Sequence, residues 1–178
     1  QAVRGEGVSG FLYLRDANHL WAYDADSSKW TSDVFARLGP RGGFGSSVTH
    51  DRVRRRLILA GGYEPGFDLP PATGVWALPL RSPLVWTKVL ELGLGFHPVL
   101  QWSIDRERLY AFSSTGTSPL SAWAIEGGDS LHATRLPVVG DAPTSGVLSG
   151  SAWDENRGRL ILLVSNMAGA GYQPRPWS

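Results

Sequence analysis

The sequence predicts an all-β chain made of tandem repeats about 50 residues long. A tryptophan followed by alanine and an apolar residue occurs three times, at Trp21, Trp76 and Trp123. An arginine-leucine pair that opens an apolar run shortly after an aspartate also occurs three times, at Arg56, Arg108 and Arg159. The arginines lie 52 and 51 residues apart, out of phase with the tryptophans. Two independent patterns with one common period indicate a tandem array.

The composition favours the same fold class. The 178 residues include 22 glycines, 12 prolines and 8 tryptophans, and 42% of the residues are hydrophobic. Many turn residues between aromatic and apolar segments are typical of strands. No segment keeps an apolar i, i+3, i+4 pattern over three turns, so no long helix is predicted.

A period near 50 residues is that of a four-stranded propeller blade. We therefore predict a β-propeller segment of about three to three and a half four-stranded blades, which is either an incomplete ring or a part of a larger propeller. The blades are placed at residues 10–40, 41–94, 95–140 and, incompletely, 141–178.

The second repeat shows the predicted strands most clearly. Its first strand is placed at 46–50, and a charged turn leads to an apolar second strand at 57–60 that ends at Gly61-Gly62. A strand without alternation is expected where neighbouring blades cover both of its faces. The diglycine is expected to let two backbones approach and turn where a side chain would collide. The third strand is placed at 74–80 and the fourth at 86–90, where polar and apolar residues alternate.

The same pattern places the strands of the other repeats. In the third repeat they fall at 99–104, 109–112, 122–125 and 131–136. The first repeat has second, third and fourth strands at 10–14, 20–23 and 30–34, and no first strand is placed before them. The last repeat has strands at 150–153 and 160–164, and Trp177 stands where a third strand should begin.

Two side-chain roles follow from the repeat. Trp76 and Trp123 are expected to occupy equivalent, largely buried positions between successive blades. Arg56, Arg108 and Arg159 are expected to pair with an acidic residue of the same turn or to stack over a ring.

These repeats resemble those of the kelch family of β-propellers. The matching pieces are the run from Val48 to Gly62, which contains the family's diglycine, and the run from Val75 to Lys88. The diglycine is replaced by Ser113-Ser114 and Ser165-Asn166 in the later repeats. The family's two spaced aromatic residues are represented by Trp21 and Trp30 and by Trp76 and Trp86. The resemblance covers roughly residues 10 to 165 and implies the fold, because kelch propellers serve many functions.

This chain lacks residues that two activities known among kelch proteins require. The copper oxidases of the galactose-oxidase type need a cysteine, and this chain has none. The iron site of the kelch specifier proteins takes Glu, Asp and His at four-residue spacing. Glu64 and Asp68 match its first two residues, but Ala72 stands in the place of the histidine.

The remaining metal candidates are weak. The Asp24-x-Asp26-x-Ser28 sequence lacks the glycine and the bidentate glutamate of a full calcium loop, so a hairpin turn is the better interpretation. The four histidines fall at different phases of the repeat. We predict no catalytic residue, no cofactor and no metal site.

A ligand site, if there is one, should follow propeller geometry and lie where loops enter first strands and leave second strands. The candidate ligand-binding residues are Arg41, Tyr63, Glu64, Phe67, Asp68 and His97. Aromatic rings beside carboxylates would suit a sugar or a peptide. The alternative is that residues 63–73 form a long surface loop held by its prolines.

The predicted function is a non-catalytic binding module that recognises a protein or a glycan. One alternative is a fragment of a carbohydrate-active propeller enzyme similar to the sialic-acid epimerases, and another is a structural propeller segment of a larger assembly. The net charge of +1 does not indicate nucleic-acid binding. No apolar run approaches the length of a membrane span. A preference for arginine over lysine hints at a bacterial source and leaves a secreted or extracellular location open.

The predicted partners are further propeller blades, from a longer parent chain or from a second copy. A ring of three blades is too tight, so the faces at the ends of the series should be open and apolar. The longer parent is favoured because the sequence stops at Trp177-Ser178, inside an expected strand.

Overall fold

The computed structural model describes residues 2–6, 10–15, 20–24, 26–32, 45–62, 73–80, 85–95, 97–103, 106–114, 119–142, 147–154, 156–166 and 173–177. Before Trp21 and after Ser165 it describes the backbone only. Every regular element within these residues is a β-strand, which confirms the all-β prediction. This part of the chain accordingly has no helix that could span a membrane.

The strands form four antiparallel sheets that follow one another along the chain. The first sheet consists of β1 (Ala2–Glu6), β2 (Gly10–Arg15), β3 (Leu20–Asp24) and β4 (Lys29–Ser32). The second consists of β5 (Ser47–Asp51), β6 (Arg56–Ala60), β7 (Val75–Pro79) and β8 (Thr87–Leu90). The third consists of β9 (Val99–Ser103), β10 (Arg108–Ser113), β11 (Ser121–Gly127) and β12 (Leu131–Leu136). The fourth consists of β13 (Val147–Asp154), β14 (Arg159–Asn166) and β15 (Gln173–Trp177).

The structure differs from the sequence prediction at both ends of the series. Strand β1 completes the first sheet by pairing with β2, although its Ala-Val-Arg-Gly-Glu sequence has too few apolar residues to signal a strand. Strand β15 ends at Trp177, where the prediction had a strand begin. It contains Pro174 and Pro176, which are compatible with an edge strand whose N–H groups at these positions are not needed by the ladder. The described strands therefore make three four-stranded sheets and one three-stranded sheet.

The backbone register shows that the four sheets are equivalent. The tryptophan of each third strand lies directly opposite one residue of the second strand, in the pairs Trp21–Leu14, Trp76–Leu59, Trp123–Ala111 and Trp177–Leu162. In the last three sheets that residue is the third after the repeat's arginine. The two sequence patterns therefore mark one three-dimensional repeat.

The sheets are arranged in series around their first strands. Strand β1 lies against β5, β5 against β9, and β9 against β13. The backbone N–H of Leu100 donates to the buried Ser47 Oγ at 3.1 Å, and Ser151 Oγ donates to Gln101 Oε1 at 3.2 Å. These bonds join first strands one repeat apart. Over the described residues the series is open, because no comparable contact joins the first and fourth sheets.

The core lies between consecutive sheets. Along β6, Ile58 and Ala60 face the third sheet and pack with its Leu109 and Ile125. Leu57 and Leu59, which alternate with them, pack on the opposite face with the residues of a separate cluster. All four β6 side chains are buried, which explains why this strand is apolar without alternation.

The tryptophans of the third strands sit on the face directed toward the preceding sheet. Trp123 packs against the cluster shared with the second sheet, and Trp76 packs against the cluster on the first-sheet side. Both are half-buried, where the sequence predicted largely buried side chains. The equivalent placement is as expected from the repeat.

A four-residue turn joins the first and second strands of the second sheet. Asp51 and Arg56 close this turn, and Arg56 Nε donates to the Asp51 carboxylate at 2.9 Å. Arg55 has a left-handed φ of 51°. Asp154 and Arg159 close the equivalent turn of the fourth sheet at 3.4 Å, so the predicted pairing within the turn is confirmed for both arginines.

The third sheet satisfies its arginine differently. Ser103 occupies the register position of Asp51, opposite Arg108. Arg108 Nε instead forms an ion pair with the Glu126 carboxylate on the neighbouring strand β11. The arginine thus keeps its position in the last three sheets. Its carboxylate partner lies on the first strand in the second and fourth sheets and on the third strand in the third sheet.

Candidate functional site

The predicted ligand site lies at the end of the sheets where chain segments enter the first strands. Of its six predicted residues, His97 belongs to the described part of the chain. The other five, which lie outside the described residues, are Arg41, Tyr63, Glu64, Phe67 and Asp68. The geometry around His97 is therefore the part of this site that the structure provides.

His97 is held by a contact between two consecutive repeats. It lies two residues before β9, and its backbone N–H donates to the carbonyl oxygen of Gly45 at 3.1 Å. Gly45 lies two residues before β5. His97 has a left-handed φ of 51°, a conformation in which histidine is several-fold enriched over most residues. The entry segments of the second and third sheets are thus fixed to each other.

The imidazole of His97 is half-buried. Burial disfavours its charged form and lowers the pKa of His97 below its ordinary value of 6.5. The ring is therefore neutral at pH 7, with one nitrogen able to donate a hydrogen bond and the other able to accept one. Such a group can recognise a sugar hydroxyl or a peptide amide.

The diglycine beside this site has the role that the sequence predicted. Gly61 has a φ of 67°, and a Cβ atom there would lie 2.4 Å from Cγ of Pro98. Since real Cβ atoms do not approach other carbons so closely, only glycine fits this backbone against the entry to the third sheet. The second sheet is thereby packed directly against the residue after His97.

The serines that replace the diglycine use their hydroxyl groups instead. Ser113 Oγ donates to the carbonyl oxygen of the buried Leu94, and Ser165 Oγ donates to Ser149 Oγ at 3.0 Å. The second strands of the last three sheets thus end in a contact with an entry segment or a first strand.

A second surface carries exposed aromatic side chains that the sequence analysis did not assign to a site. Tyr23 and Trp30 face each other across β3 and β4, with ring centroids 5.0 Å apart and planes inclined by 46°. Trp30 is 50% exposed. The sequence held one usable signal, because Trp30 belongs to the first of the repeats along the given residues.

The turn beside this aromatic pair is a hairpin turn, as the sequence predicted. The Asp24 carboxylate accepts a hydrogen bond from Ser27 Oγ at 2.7 Å and another from the backbone N–H of Asp26 at 3.0 Å. The Ser27 bond is the main cause that lowers the pKa of Asp24. In the described residues no three His, Cys, Asp or Glu side chains lie close enough together to hold a metal ion.

No protein-family model matches this chain, and no curated protein matches its sequence significantly. The repeat geometry, rather than a relative, is therefore the basis on which a function can be argued.

Proposed function

We propose that the chain is part of a kelch-type β-propeller that serves as a non-catalytic module recognising a protein or a glycan. The observation that carries this proposal is the contact of β1, β5, β9 and β13 in series. Blades of a propeller place one edge strand each around a common axis. The diglycine contact of Gly61 with Pro98 adds the feature in which the repeats most resemble the kelch family.

The proposed ligand surface is the end of the sheets that contains His97. Its frame is rigid because Gly45 and Pro98 fix the entry segments to neighbouring repeats. The loops that leave this frame would supply the remaining contacts, from Arg41, Tyr63, Glu64, Phe67 and Asp68. A neutral imidazole, an arginine, two carboxylates and two aromatic rings together suit a sugar or a peptide.

A glycan array and a peptide library, probed with the whole chain, test this function. We expect binding to at least one class of ligand. His97→Asn should weaken that binding by about twofold to tenfold, the effect of losing one hydrogen bond. Asparagine also tolerates a left-handed backbone, so the loop should keep its shape. His132→Asn is the matched control, because His132 is exposed on the outer strand β12.

Two results would contradict this proposal. One is the absence of binding to either class of ligand. The other is equal binding by the His97→Asn and His132→Asn variants. A mutarotation assay with a sialic acid would meanwhile test the enzyme alternative, since turnover that His97→Asn abolishes would favour an epimerase-like activity. Burial of the His97 end against another chain would favour a structural segment of a larger assembly.

A further inference from the structure

The two ends of the series of sheets present apolar faces of complementary kinds. We call the face that carries Trp21, Tyr23 and Trp30 the first end face, and the face that carries Ile161 and Leu163 the fourth end face. Each has equivalents in the inner sheets, so their burial can be compared position by position.

The first end face is uncovered where its equivalents are buried. Trp30 is the second aromatic residue of its repeat, as Trp86 is in the second repeat. Trp30 is 50% exposed and Trp86 is 7% exposed. Trp86 and its neighbour Leu78 belong to the cluster on the first-sheet side of the second sheet. Tyr23, which stands in the place of the fully buried Leu78, is only partly buried.

The fourth end face is uncovered in the same way. Ile161 and Leu163 are the second and fourth residues after Arg159, as Ile58 and Ala60 are after Arg56. Ile58 and Ala60 are buried beneath the third sheet, at 1% and 0% exposure. Ile161 and Leu163 are only partly buried.

The third sheet repeats this comparison with aromatic rings. Tyr110 lies two residues after Arg108 and stacks on Trp153 of the fourth sheet, with ring centroids 6.0 Å apart and planes inclined by 11°. Tyr110 is therefore covered by the next sheet, as Ile58 is. Ile161 belongs to the last described sheet and has no such cover.

The contact between the second and third sheets, where both surfaces are described, joins one face of each kind. The face with the third-strand tryptophan packs on the face with the second and fourth residues after the preceding arginine, as Trp123 packs with Ile58. Among the described sheets, one face of each kind is left uncovered, and they are the two end faces. A second copy supplies both of the missing surfaces.

We propose that the first end face of one copy packs on the fourth end face of a second copy. The inference rests on the proposed propeller architecture. Such a contact joins two different surfaces, so it produces a closed ring or an open filament. Two copies bring together eight sheets, and propellers typically have about 4–8 blades. The expected assembly is thus a closed dimer of twice the 19.3 kDa chain mass.

Sedimentation equilibrium of the whole chain, with single variants of each face, tests this proposal. The wild-type chain should be a dimer at micromolar concentration. Trp30→Glu and Leu163→Glu should each weaken self-association by at least a hundredfold, because a carboxylate would be buried without a partner. Val53→Glu is the matched control, since Val53 is 52% exposed in a turn away from both faces. It should remain dimeric.

Mixing the two variants distinguishes this contact from a symmetric one. Trp30→Glu retains an intact fourth end face, and Leu163→Glu retains an intact first end face. The two variants should therefore bind each other through one contact. A tagged Trp30→Glu chain should capture Leu163→Glu and should not capture untagged Trp30→Glu. Circular dichroism melting of each variant confirms that it is folded.

A monomeric wild-type chain would overturn the proposal, as would a dimer that Leu163→Glu leaves intact. The second result would point to a symmetric contact through the first end face alone. Capture of a glycan at Tyr23 and Trp30 by a monomer would also overturn it. Ligand binding that depends on His97 is measured separately, so a monomer that still binds ligand would refute the dimer and leave the proposed function standing.

Discussion

At the scale of single residues, the best-defined polar contact is the buried pair of Asp51 and Arg56. The Asp51 side chain is 1% exposed, and it accepts hydrogen bonds from Arg56 Nε at 2.9 Å and from the backbone N–H of Arg54 at 3.0 Å. Asp154 makes the equivalent contacts with Arg159 and Arg157 nearer to solvent. The two aspartates therefore form a matched pair in different environments.

Asp51→Asn should destabilise the fold strongly. The substitution keeps the shape but leaves the buried Arg56 charge without a counter-ion, and breaking such a pair costs about 3–5 kcal/mol. The free energy of unfolding in urea measures the loss. Asp154→Asn should cause a much smaller change, because water stabilises the exposed Arg159. Equal losses for the two variants would contradict the assignment of burial as the cause.

The stability of the fold should depend on the protonation of His97. Because burial lowers the pKa of His97 in the folded chain, the unfolded chain binds a proton first as the pH falls below 6.5. This uptake favours unfolding, so it should reduce stability progressively through that window. Urea unfolding at pH 7.5 and pH 5.0 should show a smaller acid loss for His97→Asn than for the wild type. An imidazole that titrates above 6.5 by NMR would disprove the expectation.

The sequence predicted some contacts of single residues and not others. It found the pairing of Arg56 and Arg159 with acidic residues of the same turn, because the spacing between them is fixed by a four-residue turn. It did not find that Arg108 binds Glu126, since the partners lie 18 residues apart and meet only across the β10–β11 ladder. The exposure of Trp30 was not predicted, because the exposure of a side chain depends on whether another part of the molecule covers it.

At the scale of elements, the end of β6 shows why the diglycine is required. Gly61 and Gly158 have similar left-handed φ values of 67° and 60°. A Cβ atom on Gly61 would collide with Pro98, whereas a Cβ atom on Gly158 would meet nothing within 4 Å. The two glycines thus separate the effect of backbone conformation from the effect of close approach.

Gly158→Ala should cost about 1–2 kcal/mol, which is the penalty for a side chain in the left-handed region. Gly61→Ala should cost about 2–5 kcal/mol, because overpacking adds about 1–3 kcal/mol to the same penalty. Thermal or urea unfolding measures both. Pro98→Ala should recover part of the Gly61→Ala loss in a double-mutant cycle. Equal costs for the two alanine variants would show that Pro98 does not limit position 61.

Most strands could be predicted from the sequence because they consist of the apolar and aromatic residues that are typical of strands. The β12 prediction agrees at both bounds, that for β6 differs by one residue at its start, and that for β10 differs by one residue at each end. Strands β1 and β15 were misjudged because backbone pairing with a neighbour, rather than apolar side chains, forms them. The formation of such edge strands depends more on tertiary contacts than on the local β-propensity of their residues.

At the scale of the whole molecule, the sheets are quasi-independent units joined through three interfaces. Strands β6 and β10 lie in the middle of their sheets and are buried beneath both neighbouring sheets. Strand β12 is an outer strand with largely exposed side chains. Protection from solvent should therefore decrease from the inner strands to the outer ones.

Hydrogen exchange should be slowest in residues 56–60 and 108–113 and fastest in residues 131–136. Peptide-level mass spectrometry measures this order directly. The reason is that exchange in the inner strands requires separation of whole sheets, whereas the outer strand can open locally. Slower exchange in β12 than in β10 would show that the sheets are not stacked through their inner strands.

The open series also fits the expectation that its end faces would be apolar. That expectation came from counting repeats, since the ring cannot close on so few blades. What counting could not supply is which residues remain uncovered. The identity of Trp30, Ile161 and Leu163 follows from comparing burial at equivalent positions, which requires the coordinates.

The change of partner at Arg108 has a consequence for how such repeats can diverge. If a glutamate arises at the Glu126 position while an aspartate still stands at the Ser103 position, the arginine has two anions and is never left alone. Loss of the aspartate then costs little, because the second anion already neutralises the guanidinium. The negative charge can in this way cross from one strand to another through neutral steps. Repeats of this architecture can therefore drift beyond recognition in their acidic residues while the arginine stays fixed.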